Sequence, residues 1–218
     1  MIDENLVKPF IEQYDFVREY IAEKERIVIG TMGPEATSSV QAAKYLCDSI
    51  GGAAIYDFRL FPDFKALLNS IHHGNGVDLA LVPSAYERVT DFFWDVNLEN
   101  CLNFIFPTPQ YGLVCRNGYQ IQPDKNVKVA TCHAVEHIIE ELSEGMIKDE
   151  HVEKIITAST TTALKEVLKG NADLAVTNKT SFNAYKQEGI HFIFHKYNAK
   201  IVWCVFRNKE KCNEVTKY

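Results

Sequence analysis

Two segments of this chain, whose aspartates stand 95 residues apart, carry nearly the same letters. Residues 74–82 read GNGVDLALV and residues 170–178 read GNADLAVTN, with Asp78 and Asp173 in equivalent places. Each segment predicts the end of a helix, a tight turn and a buried strand. Because parallel strands need helical crossovers, a chain that repeats this unit is expected to fold as two similar α/β lobes.

The strands before these segments follow the same plan. Residues 26–30 predict a short buried strand, followed by a Gly/Pro turn and an amphipathic helix. Residues 153–157 predict a second such strand, again followed by a helix. Since ligands of open α/β sheets gather at the carboxyl ends of the strands, we expect a ligand cleft between the two lobes.

The lobe boundaries are predicted from extended segments. Residues 106–110 (FPTPQ) and 197–200 (YNAK) are the best candidates for two crossings between lobes. The first lobe is therefore expected to contain residues 26–106 and 195–218, and the second residues 107–194. Residues 1–25 place apolar side chains at helical spacing and predict an N-terminal amphipathic helix, which packs on the first lobe or on a second subunit. A homodimer is thus a hypothesis.

Composition excludes several classes of partner. The 23 basic and 29 acidic residues are mixed along the chain and give a net charge of -6, so no basic stripe for nucleic acid is expected. The apolar runs are strand-sized, which excludes a membrane helix, and residues 1–14 do not resemble a secretion signal, which favours the cytoplasm. The six cysteines form no C-x-x-C pair and are interpreted as reduced and structural: Cys47, Cys101, Cys115, Cys132, Cys204 and Cys212.

No cofactor or metal is predicted. The chain has no Walker loop and no dinucleotide fingerprint. His133 and His137 are four apart in a helical run and could share a face, but no third ligand follows at a zinc spacing.

Hydroxyl side chains cluster where two of the predicted helices begin. Thr37, Ser38 and Ser39 open the first, and residues 159–162 (STTT) open the other. Hydroxyls, unpaired N–H groups and the positive end of a helix dipole can together hold an anion. Ordinary N-capping is the simpler explanation of either cluster taken alone, but their equivalent places in two lobes favour a ligand role. If both bind ligand, the ligand carries two separated negative groups, or one anion and a polar end.

The first hydroxyl cluster also carries a family resemblance. Residues 33–39 (GPEATSS) resemble the G-P-E-G-T-x-S segment of prephenate dehydratase domains, and residues 80–87, 159–161 and 175–178 match in order and spacing. The resemblance covers roughly residues 26–208. It implies a two-lobed fold like that of type II periplasmic binding proteins, each lobe a mixed sheet flanked by helices, with prephenate in the interlobe cleft. The regulatory ACT domain of that family is not expected, because the chain stops at Tyr218.

One departure from the dehydratases concerns their N-x-T-R-F segment, whose threonine is taken to protonate the leaving ring hydroxyl. With Trp203 on the phenylalanine, Ile201 and Val202 replace the Thr-Arg pair. A register shifted by one residue places Lys200 there instead, and neither register restores the pair. The chain more closely resembles the non-aromatising prephenate decarboxylases of the bacilysin-pathway type, which share V-P-x-A-Y at residues 82–86 and T-P-x-Y-G-L at residues 108–113.

That resemblance implies a carboxy-lyase that converts prephenate to a dihydro-4-hydroxyphenylpyruvate for antibiotic or non-proteinogenic amino-acid biosynthesis, with the ring hydroxyl retained. A divergent dehydratase that makes phenylpyruvate and a non-catalytic module for small anions remain alternatives. The candidate catalytic residues are Ser84, Tyr86 and Ile201. The candidate substrate-binding residues are Gly33, Thr37, Ser38, Ser39, Tyr111, Ser159, Thr160, Thr161, Thr177 and Asn178. For Ser84, Tyr86 and Tyr111, ring contact or proton delivery is weighed against simple packing.

Overall fold

A computed structural model describes residues 4–122, 125–186, 189–196 and 198–210. Tyr197 of the predicted second crossing and Cys212 lie outside these ranges. The chain divides into two compact units. The first unit takes its described residues from Met1–Glu35, Ser39–Phe106 and Ile201–Tyr218, and the second unit from Ala36–Ser38 and Pro107–Lys200.

The first unit is built on a five-stranded mixed sheet. Its strands are β1 (Arg26–Met32), β2 (Ile55–Phe61), β3 (Leu79–Pro83), β4 (Leu98–Pro107) and β10 (Lys200–Asn208), of which the end residues Pro107 and Lys200 belong to the second unit. They lie in the order β2-β1-β3-β10-β4, with β1 parallel to β2 and β3, and β10 antiparallel to β3. Its helices are α1 (Glu4–Ala22), α2 (Ser38–Ile50, whose first residue belongs to the second unit), α3 (Phe64–His72) and α4 (Thr90–Phe93).

The second unit repeats this plan. Its strands are β5 (Tyr111–Arg116), β6 (Val127–Thr131), β7 (Val152–Ile156), β8 (Leu174–Asn178) and β9 (Ile190–Ile193). They lie in the order β7-β6-β8-β5-β9, with β6 parallel to β7 and β8, and β5 antiparallel to β8 and β9. Its α-helices are α5 (Ile139–Leu142), α6 (Thr160–Lys169) and α7 (Lys179–Tyr185), with 3-10 helices at His133–Ile138 and Asp149–His151.

The two aspartates of the sequence repeat, Asp78 and Asp173, make equivalent hydrogen bonds in the two units. An oxygen of Asp78 accepts the Val28 N–H at 2.9 Å, and the Asp78 N–H bonds the Val28 carbonyl at 2.9 Å. Asp173 makes the same pair of bonds to Lys128, both at 2.9 Å. Each aspartate therefore joins the start of an inner strand, β3 or β8, to the parallel strand beside it. The inner strand thus has the same position and direction within each of the two sheets.

Each sheet buries apolar side chains on both faces. In the first unit, Ile29, Leu81 and Trp203 pack with α1 and α2 on one face, while the alternate residues Ala80, Val82 and Phe206 pack with α3 on the other. The second unit buries Leu113 and Val176 against α5, and Val114 and Ala175 against α6. Each sheet is thus the core of its unit, and both of its faces are used for packing.

The helical run that contains His133 and His137 differs from the prediction. His133 and His137 lie in a 3-10 helix, which turns three residues per turn, so residues four apart do not share a face. The five cysteines within the described ranges carry free thiols, and burial raises the pKa of Cys47 to about 12 and of Cys204 to about 11. No helix within the described ranges has the length and apolarity needed to cross a bilayer.

Candidate functional site

The carboxyl end of β8 and the start of α6 meet through Asn178, a fully buried side chain. Its Oδ1 accepts the Ser181 N–H at 2.9 Å, which caps α7, and its Nδ2 donates to Thr160 Oγ1 at 3.1 Å. Because the amide is the donor in that second bond, the Thr160 hydroxyl keeps its own hydrogen for a further acceptor. Asn178 thus orients a hydroxyl donor at the first residue of α6.

The neighbouring hydroxyls are used inside the second unit. Ser159 is the N-cap of α6, and its Oγ accepts the Thr162 N–H at 3.1 Å. Thr177 Oγ1 donates to the Thr160 carbonyl at 3.0 Å, and Thr161 Oγ1 lies 2.6 Å from Ser181 Oγ. Thr161 and Thr177 are fully buried. The bonds of Ser159, Thr161 and Thr177 thus hold the start of α6 in place, whereas Asn178 orients Thr160.

The second unit also holds Thr37 and Ser38, although they follow a strand of the first. Ser181 Oγ donates to the Ala36 carbonyl at 2.9 Å, and the Ser38 side chain bonds the Tyr111 hydroxyl. Thr37, between these two anchors, is buried. The structure therefore brings Thr37 and Ser38 into the unit that holds the second hydroxyl cluster.

Tyr111 opens β5 and pairs with Asn178 of β8 in the sheet. Burial, and then the nearby Cys132 thiol, raise the pKa of Tyr111 to about 12, and the bond to Ser38 opposes that rise. The phenol is therefore neutral near pH 7. A neutral hydroxyl held by Ser38 is a hydrogen-bonding group at this position and not a source of negative charge.

A cationic side chain, which the sequence analysis did not single out, follows Asn178 directly. The Lys179 ammonium lies over the rings of Phe182 and Phe192, 5.0 and 4.9 Å from their centroids. Within the described part of the chain, no ion pair with a carboxylate includes it. The residue types collected in the second unit, namely hydroxyls, an amide and a lysine, suit a small anion. In the same ranges, no three His, Cys, Asp or Glu side chains group as metal ligands.

Ser84 and Tyr86 lie just after β3 in the first unit. The Ser84 N–H donates to the Val202 carbonyl at 2.8 Å, and the Tyr86 N–H closes a turn to the Pro83 carbonyl at 3.0 Å. The Tyr86 ring packs on Phe64, 4.8 Å between centroids, and burial and nearby Glu87 raise its pKa. The Ser84 side chain is exposed. Ser84 and Tyr86 thus stand at the carboxyl end of an inner strand, next to the start of β10.

Ile201 and Val202 lie at the start of β10 and point to opposite faces of the sheet. Ile201 is half-buried and packs with the cluster that contains Trp203, whereas Val202 is exposed. Two further candidates, Gly33 and Ser39, are in the same unit. The Gly33 N–H bonds the Phe61 carbonyl at 2.8 Å, and a side chain there would come within 3.0 Å of Leu60 Cβ. Ser39 is buried in the first turn of α2.

The candidates thus form two groups. The second unit holds Thr37, Ser38, Tyr111, Ser159, Thr160, Thr161, Thr177 and Asn178. The first unit holds Gly33, Ser39, Ser84, Tyr86 and Ile201. Sequence reasoning missed Ser181, which bonds to Asn178 of β8, Thr161 of α6 and the Ala36 carbonyl. Its position three residues after Asn178, the spacing of an N-cap bond, is the signal that could have found it.

No family model matches the chain. A curated prephenate decarboxylase of Planktothrix agardhii is 34% identical over 184 residues, covering 84% of this chain and 89% of the relative. A crystal structure of a prephenate dehydratase from Arthrobacter aurescens in complex with L-Phe is 17% identical, with a TM-score of 0.59 over 84% of this chain and 60% of that one. An ancestral arginine-binding protein bound to glutamine is 15% identical, with a TM-score of 0.51 over 88% of each chain.

These two solved structures and the paired mixed sheets confirm the predicted fold class, which dehydratases and periplasmic-type binding proteins share.

Proposed function

The chain belongs to the prephenate decarboxylase family, and on this premise we propose that it removes CO2 from prephenate without forming an aromatic ring. The observation that carries the proposal is the 34% identity to a curated prephenate decarboxylase across 89% of that protein. The enzyme is a carboxy-lyase acting on a small molecule. Its product is a dihydro-4-hydroxyphenylpyruvate with the ring hydroxyl retained, a precursor for specialised amino-acid or antibiotic biosynthesis.

The chemistry sets a clear demand on the site. Prephenate carries a carboxylate and a pyruvyl arm on one ring carbon and a hydroxyl on the opposite carbon. Losing both the carboxylate and the hydroxyl makes the ring aromatic. A decarboxylase that avoids this outcome lets the C–C bond to CO2 break, accepts the electron pair into the ring diene and delivers one proton to a ring carbon. It must therefore place no acid at the ring hydroxyl and remove water from the carboxylate.

The start of β10 is our proposed site of this selectivity. Ile201 and Val202 are apolar where a Thr-Arg pair would supply a hydroxyl and a cation. The Ile201 side chain offers no proton to the ring hydroxyl, and its apolar surface favours loss of the charged carboxylate through desolvation, whereas Val202 points to the other face of the sheet. Ser84, bonded through its N–H to Val202, and Tyr86 are proposed to contact the ring or deliver the proton, directly or through water.

The substrate's negative groups are proposed to bind at Thr37, Ser38, Tyr111, Thr160 and Asn178 of the second unit and at Gly33 and Ser39. Thr160, oriented by Asn178, and the Thr37–Ser38 segment, held by Ser181 and Tyr111, offer hydrogen-bond donors to a carboxylate. Ser159, Thr161 and Thr177 support this arrangement through their bonds within the unit. Neutral donors bind an anion without a strongly basic patch, which suits a chain of net charge -6.

Incubation of the purified protein with prephenate at neutral pH tests the proposal. We expect one CO2 released per prephenate consumed, with vinylic ring protons in the proton NMR spectrum and no phenylpyruvate. Phenylpyruvate as the main product would instead identify a divergent dehydratase. Thermal stabilisation by prephenate without turnover would identify a non-catalytic binding module.

Two finer proposals concern the setting of the enzyme. We propose a cytoplasmic location, in keeping with the free thiols of the five described cysteines, and cell fractionation with an antibody to the chain would test it. We also propose a homodimer formed through the first half of α1. Leu6, Phe10 and Ile11 there are 69%, 54% and 55% exposed, and the buried residues of this helix are Val17 and Ile21.

The surface beside α1 is where the second copy is proposed to pack. Next to the exposed helix lies a groove of about 210 Å³ lined by aromatic and aliphatic side chains, among them Tyr14, Tyr45 and Phe104. An antiparallel pairing of two α1 helices with the two-fold axis at Phe10 places Leu6 of each copy opposite Tyr14 of the other. Lys8 and Glu12 lie on the opposite face of α1, where they form an ion pair with each other at 3.6 Å, so the pairing rests on the apolar side chains.

Introducing charges at the axis checks this pairing. We expect Phe10→Glu alone and Phe10→Lys alone each to weaken the dimer at least tenfold, because each places two like charges face to face at the axis. An equimolar mixture of the two variants should recover the dimer as a heterodimer. Sedimentation velocity of each sample measures the association. A monomeric wild type, or single variants that dimerise like the wild type, would contradict the interface.

A further inference from the structure

Ser181 is a fully buried hydroxyl on α7 to which the roles proposed above assign no chemistry. Its N–H is bonded by Asn178 Oδ1 at 2.9 Å, and its Oγ lies 2.6 Å from Thr161 Oγ1 and 2.9 Å from the Ala36 carbonyl. One side chain therefore joins α6, α7 and the segment that precedes Thr37.

The direction of these bonds follows from what each group can do. A carbonyl oxygen only accepts, so Ser181 must donate its single hydroxyl hydrogen to Ala36. Thr161 must then be the donor in its bond to Ser181. The result is a chain from the Thr161 hydroxyl through Ser181 to the Ala36 carbonyl, in which each bond polarises the next.

Holding this carbonyl also fixes the next residue. The Ala36 carbonyl and the Thr37 N–H belong to one planar peptide group, so the direction of the first determines the direction of the second. On the other side of Thr37, the Ser38 side chain is bonded to Tyr111. The segment is thus anchored immediately before and immediately after Thr37, with both anchors in the second unit.

We infer that Ser181 is a positioning residue for prephenate binding: it sets the orientation of the Ala36–Thr37 peptide, and through it the donors of Thr37 and Ser38. This inference rests on the proposed function, since the substrate contacts of Thr37 and Ser38 are part of it. Ser181 itself does not touch the substrate. Substitution of Ser181 is expected to weaken prephenate binding and not to slow the chemical step, because a misplaced donor no longer bonds the carboxylate of the substrate.

Ser181→Ala tests the inference against a matched control. The variant leaves the Ala36 carbonyl without its donor, and we expect KM for prephenate to rise roughly three- to tenfold. Ser143 is another fully buried serine of the second unit, bonded to Glu140 and Ile147 on α5 and the loop after it. Ser143→Ala should lower Tm, as Ser181→Ala does, but leave KM unchanged. A merely structural role of Ser181 would reduce the active fraction, and hence apparent kcat, at constant KM.

The double variant Thr161→Val/Ser181→Ala separates stability from positioning. Ser181→Ala leaves the buried Thr161 hydroxyl without an acceptor, and Thr161→Val removes that hydroxyl. The double variant should therefore have a higher Tm than Ser181→Ala. KM should stay raised, because the Ala36 carbonyl is still unbound. Two results would overturn the inference: a double variant whose KM and Tm both return to the wild-type values, or a Ser181→Ala enzyme with wild-type KM. In either case, turnover of prephenate by the wild type would still support the proposed function. A wild type that neither converts nor binds prephenate would overturn both.

Discussion

Ile201→Thr is expected to raise the amount of phenylpyruvate formed per prephenate consumed by about a hundredfold, the lower end of what a positioned acid contributes. The substitution returns a hydroxyl to the start of β10, at the place where the resembled dehydratases carry their acid. Each tenfold change in product ratio needs only about 1.4 kcal/mol between the two barriers, so one hydroxyl suffices. Proton NMR of the products after complete conversion measures the ratio directly.

Val202→Thr is the matched control for this change. It adds a hydroxyl at the neighbouring residue of β10, whose side chain points to the opposite face of the sheet. If Ile201 has the role proposed, the control should leave the product ratio within a fewfold of the wild type. Equal ratios for Ile201→Thr and the wild type, with both proteins folded, would remove Ile201 from the catalytic residues.

Asn178→Asp should lower kcat/KM for prephenate by about a hundredfold at pH 8. The new carboxylate can still accept the Ser181 N–H, but it cannot donate to Thr160, and it adds a negative charge beside the donors proposed for the substrate. Two like charges about 5 Å apart repel by roughly 3 kcal/mol at an effective dielectric constant of about 20, which corresponds to about two orders of magnitude in affinity. Steady-state kinetics with prephenate measures the loss.

Two further variants show whether charge is the cause. Asn178→Ala removes the cap of α7 without adding charge, so it should lower Tm and raise KM less than Asn178→Asp does. Asn208 is a second buried asparagine, whose Nδ2 donates to the carbonyls of Ile71 and His72 in the first unit. Asn208→Asp should destabilise the protein and leave KM unaffected. Similar KM values for Asn178→Asp and Asn208→Asp would contradict an anion site at Asn178.

Much of the fold could be predicted from patterning because its causes are local. The amphipathic spacing of residues 1–25 predicted α1, and the apolar runs after Arg26 and at 153–157 predicted β1 and β7. The repeated segment predicted two similar units, and the structure gives its aspartates one shared role, the bond to a parallel neighbour. The 3-10 helix at His133–Ile138 was not predicted, since apolar spacing in so short a segment does not distinguish three residues per turn from 3.6.

The site was predicted as residue types and not as a bonded arrangement. Hydroxyls at helix starts were visible in the sequence, but which of them cap a helix and which present a donor depends on partners far along the chain. Ser159 proved to be an N-cap, whereas Thr160 is oriented by Asn178, 18 residues away. The link from Ser181 to Ala36 spans 145 residues, and no local pattern encodes it.

By itself, the sequence determined the class of fold, the membership of a decarboxylase family and the apolar pair Ile201–Val202, because hydrophobic periodicity, turn residues and motif letters are properties of neighbouring positions. Only the tertiary structure decided that Thr37 and Ser38 are anchored in the second unit and that Ser181 and Tyr111 anchor them. The physical reason is that a buried hydroxyl must find a partner wherever folding brings one within about 3 Å, and that choice is made by packing between distant segments.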